Sequence, residues 1–356
     1  MREIDEHTII DTASIYEAIE KININGKRFI AVIDKNIKII GLATDGDIRR
    51  ALLKEISIHD VITKAMNTNY LSLPYDSSAS EIDNFLRINK TSFLPLVEVK
   101  SGILKSIYLK TGNPVLPEDS QIQSPVMILA GGFGKRLRPL TDNTPKPMLQ
   151  INGIPMLEII ISNLINFGFK KFFLSTFYMS EVIEDYFEDG SDRGIEITYL
   201  REDEPRGTAG SLSMIPLEHA FEDIVIMNAD ILSNLNLREF LDYHQYGEYD
   251  FSVATAFHNY QIPYGVIKSK AGKIYSIHEK PHHTENISAG IYIAKKQVID
   301  RYVNKSAYQD MPDLINDLIE DKKNLGSFPI HEYWLDIGKK EDFAQAQADI
   351  KLYFDV

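Results

Sequence analysis

The feature that most constrains the fold is the alternation of strand-like and helical runs after Pro125. Seven apolar runs have the character of buried strands: PVMILA, KKFFLSTF, EITYL, DIVIMNAD, DFSVATAF, GVIKS and SAGIYIA. Five amphipathic runs have a helical period: PMLEIIISNLINFG, SEVIEDYFED, LREFLDYHQY, MPDLINDLIEDKK and EDFAQAQADIKLYF. This alternation predicts an α/β domain with a Rossmann-like, mostly parallel, mixed sheet flanked by helices. Ligands in such sheets bind beyond the carboxyl ends of the strands, so residues that directly follow strands are the first candidates for a site.

A change in composition separates the region after Pro125 from the N-terminal region. The segment TGNPVLPEDSQIQSP, residues 111–125, holds three prolines, a glycine and several polar residues without an apolar period, which indicates a linker. We therefore predict an N-terminal region over residues 1–115, a linker over 116–124 and a second domain over 125–356. A length of 356 residues agrees with two domains, at roughly 150 residues each.

Composition and charge exclude several classes of protein. The absence of cysteine rules out disulfides, thiolate catalysis and Cys-ligated zinc. A net charge of −13 offers no general surface for nucleic acid. No apolar run approaches the roughly 18 residues of a membrane span, and the charged N-terminus lacks the apolar core of a secretion signal. We expect a cytoplasmic protein that binds neither nucleic acid nor membrane and keeps its functional positive charges in local sites.

Residues 127–149, MILAGGFGKRLRPLTDNTPKPML, have the composition of a phosphate-binding loop. Glycines 131, 132 and 134 follow a strand-like run, where they let the backbone turn sharply and bring its N–H groups to an anion. A P-loop would need Gly-Lys-Ser/Thr, but Lys135 is followed by Arg136. A dinucleotide fingerprint would need Gly or Ala at position 137, which is Leu, and Pro139 prevents a helix from following directly. Basic residues in an acidic protein argue against a plain surface turn.

The complete pattern, Gly-Gly-x-Gly-x-Arg-Leu-x-Pro-Leu-Thr followed by Pro-Lys-Pro, resembles the signature of sugar nucleotidyltransferases. These enzymes combine a sugar 1-phosphate with an NTP and release pyrophosphate. The resemblance implies that Arg136 holds the leaving end of the triphosphate and Lys146 the phosphates near the reacting centre, with Arg138 as a candidate helper; these side chains suit phosphate oxygens. It also implies that the nucleotide is wrapped by Leu129, Ala130, Gly131, Gly132, Gly134 and Lys135.

The resemblance continues in order through the rest of the domain. The segment EPRGTAGSL, 204–212, resembles the one that contacts the base, and it implies contacts from Glu204, Gly207 and Thr208. IMNAD ends at Asp230, and WLDIG contains Asp336. The resemblance makes these two carboxylates the ligands of Mg²⁺, an ion that takes one or two carboxylates together with phosphates and waters.

Three further segments imply the sugar site. YGVI places Gly265 near the sugar, SAGIY places Gly290 against it, and HEKP supplies Glu279 for a sugar hydroxyl and Lys280 for the sugar's phosphate. The chain departs from the family at Ser288, where Asn is frequent. The implied mechanism needs no general base, because the sugar phosphate is already an anion at neutral pH. It attacks the α-phosphorus in line, and catalysis consists of positioning and charge neutralisation.

The N-terminal half contains a weak internal repeat. A strand, a turn at 34–36, a second strand and a helix occupy 27–53, and 91–111 repeats the strand-turn-strand. Each is preceded by an amphipathic helical stretch, Ser14–Lys21 and Ala79–Asn89. This α+β arrangement resembles a tandem pair of CBS domains, in which the two units would bury each other's sheets.

The most specific piece of this resemblance is GLATDGDIRR. It implies that Thr44 and Asp47 contact the phosphate and ribose hydroxyls of a regulatory nucleotide at a helix N-terminus. The alternative is that Asp47 only caps that helix. The second copy has no Asp at this place, so at most one complete site is expected. CBS pairs often associate, which suggests a homo-oligomer.

The base and the sugar are inferred from resemblance alone. GTAG is similar to the mannose-1-phosphate guanylyltransferase type and differs from the GLAQA of thymidylyl- and uridylyltransferases. Fusion to a CBS pair resembles the guanylyltransferases of legionaminic acid biosynthesis, which act on glucosamine 1-phosphate. GTP and glucosamine 1-phosphate are therefore preferred. Mannose or heptose 1-phosphate and a thymidylyl-, uridylyl- or cytidylyltransferase are the alternatives.

A hypothesis of another class is a non-catalytic regulatory subunit that binds sugar nucleotides. The discriminating feature is the set of charged side chains that catalysis would need. The set is complete in this chain, and this favours an enzyme: Arg136, Lys146, Asp230, Lys280 and Asp336.

Overall fold

The computed structural model describes residues 5–89, 91, 93–109, 122–216, 219–304 and 307–354. The chain forms two compact units. Unit 1 contains Met1–Ser120, His331–Tyr333 and Asp349–Val356, and unit 2 contains Gln121–Ile330 and Trp334–Ala348. Residues 116–121 of the predicted linker lie outside the described residues, and the predicted domain boundaries stay predictions.

Unit 1 contains two three-stranded sheets of the same design. The first consists of β1 (Thr8–Ile10), β2 (Phe29–Ile33) and β3 (Ile39–Thr44), and the second of β4 (Leu73–Pro74), β5 (Phe93–Val97) and β6 (Leu104–Leu109). In each sheet the middle strand pairs parallel with the first and antiparallel with the last. The helices are α1 (Ile15–Asn25), α2 (Asp45–Leu52) and α3 (Ala79–Asn89). The equal topology agrees with the internal repeat in the sequence.

The two sheets of unit 1 pack on a common core. The rings of Phe29 and Phe93, one from each middle strand, stack with their centroids 3.7 Å apart. Leu104 of the second sheet is buried in the same cluster as Ala31 and Leu42 of the first. Each sheet alone has one apolar face, and pairing the two faces removes both from water. The expectation that the repeats bury each other's sheets agrees with this packing.

Unit 2 is built on a seven-stranded sheet in the order β11-β10-β7-β12-β17-β14-β18. The strands are β7 (Val126–Leu129), β10 (Lys171–Thr176), β11 (Glu196–Arg201), β12 (Asp223–Asn228), β14 (Phe251–Gln261), β17 (His282–Lys295) and β18 (Leu325–Ile330). Only β17 runs antiparallel to its neighbours, β12 and β14. The predicted mostly parallel, mixed sheet is confirmed.

Helices and short ribbons complete unit 2. The helices are α4 (Met156–Asn166), α5 (Ser180–Phe187), α6 (Gly207–Gly210), α7 (Leu237–Tyr246), α8 (Lys296–Tyr302), α9 (Met311–Glu320) and α10 (Lys340–Tyr353), whose last residues belong to unit 1. Three two-stranded ribbons join β8 (Gln150–Ile151) to β9 (Ile154–Pro155), β13 (Ile231–Ser233) to β19 (Trp334–Asp336), and β15 (Val266–Lys270) to β16 (Lys273–His278). The run GVIKS therefore forms a strand outside the main sheet, where four of the five residues of β15 are exposed.

The order of strands reverses direction at β7. From β7 the chain adds β10 and then β11 on one side, and it later returns to place β12 on the other side. A crevice opens beyond the carboxyl ends of the strands at such a reversal. The glycine-rich loop follows β7 and Asp230 follows β12, so both lie at this crevice. Within the described part of the chain, no helix has the length and apolar composition needed to cross a membrane.

A buried polar chain connects three elements of unit 2. His244 of α7 places Nδ1 2.8 Å from Ser252 Oγ and Nε2 3.4 Å from Asp223 Oδ1. Gln245 Nε2 donates to Asp223 Oδ2 at 2.9 Å. Asp223, His244 and Ser252 are all buried, so this Asp-His-Ser series is structural rather than nucleophilic. Burial alone would raise the pKa of Asp223, but the contact with His244 and the hydrogen bond from Gln245 outweigh it and hold the pKa below its usual value.

Asp223→Asn should lower the free energy of unfolding by about 1–3 kcal/mol at neutral pH, because a buried hydrogen bond to a charge is lost. A folded-state pKa below the unfolded one stabilises the protein fully above the unfolded value, about 3.9. This contribution disappears as the pH falls through the folded value. The difference between wild type and variant in urea unfolding should therefore shrink below about pH 4. Asp242→Asn, exposed on α7, is the control. If the difference in unfolding free energy between wild type and Asp223→Asn stayed constant in acid, the lowered pKa of Asp223 would be contradicted.

Candidate active site

The glycine-rich loop closes directly onto Lys146. After β7 the loop forms a 3₁₀ turn at Lys135–Leu137 rather than a helix, as Pro139 predicted. Gly134 has φ +61°, and a Cβ there would lie 2.8 Å from Thr141 Cγ2 and 3.1 Å from Lys146 Cβ. Thr141 Oγ1 donates to the Gly134 carbonyl at 2.8 Å. Only glycine combines this backbone conformation with so close an approach to the lysine.

Two distant carboxylates meet in one ribbon beside this loop. Asp230 follows β12, and its neighbour Ile231 pairs with Asp336 in the antiparallel ribbon of β13 and β19. The Ile337 N–H donates to the Asp230 carbonyl at 3.0 Å. Lys146 Nζ donates to Asp230 Oδ2, and the lysine is buried. The structure therefore brings together Lys146, Asp230 and Asp336, as their predicted common role requires.

The electrostatics of this pair favour a cation. Partial desolvation raises the pKa of Asp336, and repulsion from Asp230 raises it further, while Lys146 and Arg136 act in the opposite direction. Asp230 Oδ1 is buried and has no hydrogen-bond partner among the described residues. An orphaned carboxylate oxygen beside a second carboxylate is the donor set that Mg²⁺ prefers. The residues present fit the predicted Mg²⁺, and its ligation by Asp230 and Asp336 stays a prediction.

The two arginines of the loop differ in their surroundings. The charge of Arg136 opposes the rise in the pKa of Asp336 without cancelling it. Arg136 Nη1 lies 3.5 Å from the position of a Cβ on Gly338, just beyond β19. Arg138 pairs with Asp142 at 3.4 Å, and 60% of its side chain is exposed. Both arginines are exposed, but Arg136 lies near Asp336, whereas Arg138 pairs with Asp142.

Two glycines of the predicted sugar site lie against other side chains. A Cβ on Gly265 would lie 2.9 Å from Glu279 Oε2, and a Cβ on Gly290 would lie 2.8 Å from Asn228 Nδ2. Trp334 Nε1 donates to the Ala289 carbonyl at 2.9 Å, which ties β19 to β17. Among the described residues, no contact joins the side chains of Lys280 or Glu204 to the two aspartates. Their predicted roles stay predictions.

Sequence reasoning missed Glu202, which lies beside the glycine loop. A Cβ on Gly131 would come within 3.3 Å of Glu202 Oε1. The carboxylate accepts from Ser175 Oγ at 2.5 Å and from the Arg206 N–H at 3.0 Å. The signal available in the sequence was its position directly after β11, at the carboxyl edge of the sheet.

The predicted base-contacting turn is held by the segment 309–311. Gly207 has φ +78°, and a Cβ there would collide with the Gln309 carbonyl. Thr208 Oγ1 accepts from the Met311 N–H at 2.8 Å, and the Thr208 N–H donates to Asp310 Oδ1 at 3.2 Å. These contacts give Thr208 a structural role, and its contact with the nucleotide stays a prediction.

In unit 1, Thr44 and Asp47 are engaged with each other. Thr44 is the N-cap of α2 and Asp47 the third residue of the helix, and they form a reciprocal capping box. Asp47 Oδ2 accepts from Thr44 Oγ1 at 2.6 Å, and Arg50 contacts Asp47 Oδ1 at 2.6 Å. The capping interpretation describes this geometry, and nucleotide binding at the two residues stays a prediction.

Comparisons with known proteins find two family models that match parts of this chain. A model of the nucleotidyl transferase family matches residues 125–352, and a CBS domain model matches residues 1–54. The D-glycero-alpha-D-manno-heptose 1-phosphate guanylyltransferase of Aneurinibacillus thermoaerophilus is 33% identical over 64% of this chain and 98% of its own length. The mannose-1-phosphate guanylyltransferase of Mycobacterium tuberculosis is 30% identical over 64% of this chain, and the match spans only 65% of that protein.

Solved structures support the fold. HddC from Yersinia pseudotuberculosis complexed with GMP-PN superposes with a TM-score of 0.52 at 24% identity, over 64% of this chain and 99% of that one. A putative glucose-1-phosphate thymidylyltransferase from Bacillus anthracis gives the same TM-score of 0.52 at 22% identity, over 65% and 96%. At these identities the likeness concerns the fold alone, over 64% and 65% of this chain.

Proposed function

Because the chain belongs to the nucleotidyl transferase family, we propose that it transfers a guanylyl group from GTP to a sugar 1-phosphate and releases pyrophosphate. The observation that carries the proposal is the convergence of Lys146, Asp230 and Asp336, together with Arg136, beside the glycine loop. A charged cluster with an orphaned carboxylate oxygen suits catalysis and is not required for a non-catalytic sugar-nucleotide sensor.

The chain's own residues supply positioning and charge. The glycine loop offers backbone N–H groups to the triphosphate. Arg136 neutralises the charge that develops on the leaving pyrophosphate, and Lys146 does so at the α-phosphate. The sugar phosphate attacks as an anion, the α-phosphorus–oxygen bond to pyrophosphate breaks, and no proton needs to be removed. Mg²⁺, when bound by Asp230 and Asp336, would supply Lewis-acid charge neutralisation of the phosphate oxygens.

The preference for GTP is supported by Glu202. Guanine presents two adjacent donors, N1–H and the exocyclic amino group, whereas uracil and thymine present a single N–H between two acceptors. A carboxylate has about four acceptor positions, and Ser175 and the Arg206 N–H each take one at Glu202. The remaining acceptors beside Gly131 can pair with both guanine donors, and this favours GTP over UTP and dTTP.

Glu202→Gln should reduce kcat/KM for GTP roughly thirtyfold, which corresponds to a loss of about 2 kcal/mol of transition-state stabilisation. The reason is that one carboxylate oxygen of Glu202 becomes an amide NH₂ group, and this donor then faces an N–H donor of guanine. The ratio of GTP to UTP use should fall by the same factor, measured by pyrophosphate release. Glu196→Gln, exposed at the start of β11, is the control. The same change at Glu204 tests the residue that the sequence predicted, and a larger loss of selectivity there would assign base recognition to Glu204 instead.

For the sugar we propose glucosamine 1-phosphate, in legionaminic-type glycan precursor synthesis, on the resemblance of the fused N-terminal unit. The test is a matrix of GTP, ATP, UTP, CTP and dTTP against the 1-phosphates of glucosamine, mannose, heptose and glucose, with Mg²⁺, read by pyrophosphate release. Preference for mannose or heptose 1-phosphate would contradict glucosamine 1-phosphate as the substrate, and preference for another NTP would contradict GTP as the donor. If no pair of substrates released pyrophosphate, the proposal that the protein is an enzyme would be wrong.

Cytoplasmic location, a regulatory nucleotide in unit 1 and a homo-oligomer remain proposals.

A further inference from the structure

Lys280 of unit 2 has a backbone conformation that is unusual for its residue type. Its φ is +45°, in the left-handed region that favours glycine. Pro281 follows it, and a residue before proline favours an extended backbone. Both effects draw Lys280 away from this conformation, so neighbouring groups must hold it there. Backbone strain of this kind is concentrated at functional sites, where the surrounding structure maintains it.

Lys280 lies at the base of the ribbon of β15 and β16, where the chain passes between this ribbon and the main sheet. Two short segments make the connection: 262–265 follows β14, and 279–281 precedes β17. They contain the predicted sugar-site residues Gly265 and Glu279 together with Lys280. The predicted sugar contacts therefore depend on how these two segments are held.

Gln261, the last residue of β14, binds the backbone of Lys280 through its side chain. Its Nε2 donates to the Lys280 carbonyl at 3.2 Å and lies 3.0 Å from His282 Nε2. A backbone carbonyl can only accept, so the amide of Gln261 must present its NH₂ group on this side. The Lys280 N–H donates to the Tyr264 carbonyl at 3.3 Å. Both peptide groups that meet at the Lys280 Cα are thus bound to the neighbouring stretch of chain.

These two hydrogen bonds determine the direction of the Lys280 side chain. Peptide groups are planar, so fixing the groups on both sides of a Cα fixes φ and ψ of that residue and the direction of its Cβ. The bond to the Tyr264 carbonyl joins two backbone groups and holds the peptide group before Lys280. The bond from Gln261 holds the peptide group after it. Without Gln261, that second group would be free to rotate, and Lys280 would relax towards the extended backbone.

We propose that Gln261 is a positioning residue, which keeps Lys280 in its left-handed conformation and so aims the ammonium group at the phosphate of the sugar 1-phosphate. The role of Lys280 at this phosphate rests on the proposed function. Two other roles of Gln261 predict different results. A direct contact with the sugar, or a purely structural role in the ribbon, would act whether or not Lys280 is present.

The test is a double-mutant cycle in the full chain with Gln261→Leu, Lys280→Ala and their combination. Leucine is close to glutamine in size and removes the amide donor, and Gln261 is exposed, so no core packing is disturbed. The readouts are kcat and the KM values for GTP and for the sugar 1-phosphate that the substrate matrix selects, measured by pyrophosphate release. Gln297→Leu, exposed on α8, is the matched control.

Gln261→Leu should raise the KM for the sugar 1-phosphate about fivefold, the usual contribution of one hydrogen bond, and leave the KM for GTP at its wild-type value. In the Lys280→Ala background the same substitution should have no further effect, because no ammonium group is left to position. Gln297→Leu should behave as wild type. An unchanged KM for the sugar 1-phosphate in Gln261→Leu would overturn the proposal, and so would an equal rise in both backgrounds.

A second readout needs no turnover. In ¹⁵N-lysine-labelled protein, the amide resonance of Lys280 is assigned from its absence in Lys280→Arg. It should shift in Gln261→Leu and keep its position in Gln297→Leu, and an unmoved resonance in Gln261→Leu would overturn the proposal. If the wild type reacts with no pair of substrates, the proposed function is wrong, and this resonance still decides whether Gln261 holds the Lys280 backbone.

Discussion

Asp230→Asn should reduce turnover at least about a thousandfold and leave the protein folded. The substitution keeps the size of the side chain and removes the negative charge from the residue that carries an orphaned, buried oxygen. Charge neutralisation by a metal contributes several kcal/mol to the transition state, and each 1.4 kcal/mol is a factor of ten in rate. The loss should appear mainly in kcat, because the charge acts most strongly where negative charge is crowded during transfer.

The measurement is pyrophosphate release at saturating substrates, together with Mn²⁺ binding in the presence of GTP and a thermal melt. Asp242→Asn serves as the matched control, since Asp242 is exposed on α7. Mn²⁺ binding should weaken in Asp230→Asn and not in the control. Normal activity of a folded Asp230→Asn protein would show that Asp230 is not a required metal ligand, and the proposed shared site with Asp336 would be wrong.

Lys146→Met should lower kcat by about 10²–10³, the usual effect of removing one preorganised donor from a developing oxyanion. The change also leaves Asp230 Oδ2 without the ammonium group that donates to it. Methionine keeps the length and apolar stem of the lysine, so packing against Gly134 is retained. The KM for GTP should rise less than kcat falls, because a charge at the α-phosphate is needed most in the transition state.

Lys146→Arg separates charge from geometry. Arginine restores the positive charge but not the compact shape of the ammonium group, and partial recovery of kcat is expected. Lys171→Met, exposed on β10, is the control for a lysine outside the site. A Lys146→Met protein with wild-type kcat and a raised KM would show that Lys146 only binds GTP and would contradict its assignment to the reacting centre.

Most elements of unit 2 could be predicted from the sequence, because hydrophobic periodicity is a local property. The helical run MPDLINDLIEDKK became α9, and SEVIEDYFED became α5. Several short or irregular strands were missed, and two of them show the reasons. β18 contains a glycine and a proline, which are tolerated because it is the edge strand of the sheet. β19 has only three residues, too few for any period to be visible.

Some residues of the candidate site could likewise be predicted from the sequence, and others could not. The sequence predicted Lys146, Asp230 and Asp336 through their motifs, and the structure brings these three side chains together. It did not indicate Glu202, because a single carboxylate after a strand has no distinctive pattern. It also did not indicate the buried ion pair of Arg49 and Glu332, because the two residues are 283 positions apart and each is unremarkable in its own segment.

The sequence by itself predicted the reaction class through the resemblance of one loop to the sugar nucleotidyltransferase signature, which requires glycines, prolines and basic residues at fixed spacing. Those requirements are local to the backbone and are visible in MILAGGFGKRLRPLTDNTPKPML. Only the tertiary structure decided which side chains share the site with that loop. The pairing of Ile231 with Asp336, and the position of Glu202 beside Gly131, arise from strand order and register. Register depends on which apolar faces are buried together across the whole sheet, and no short segment contains that information.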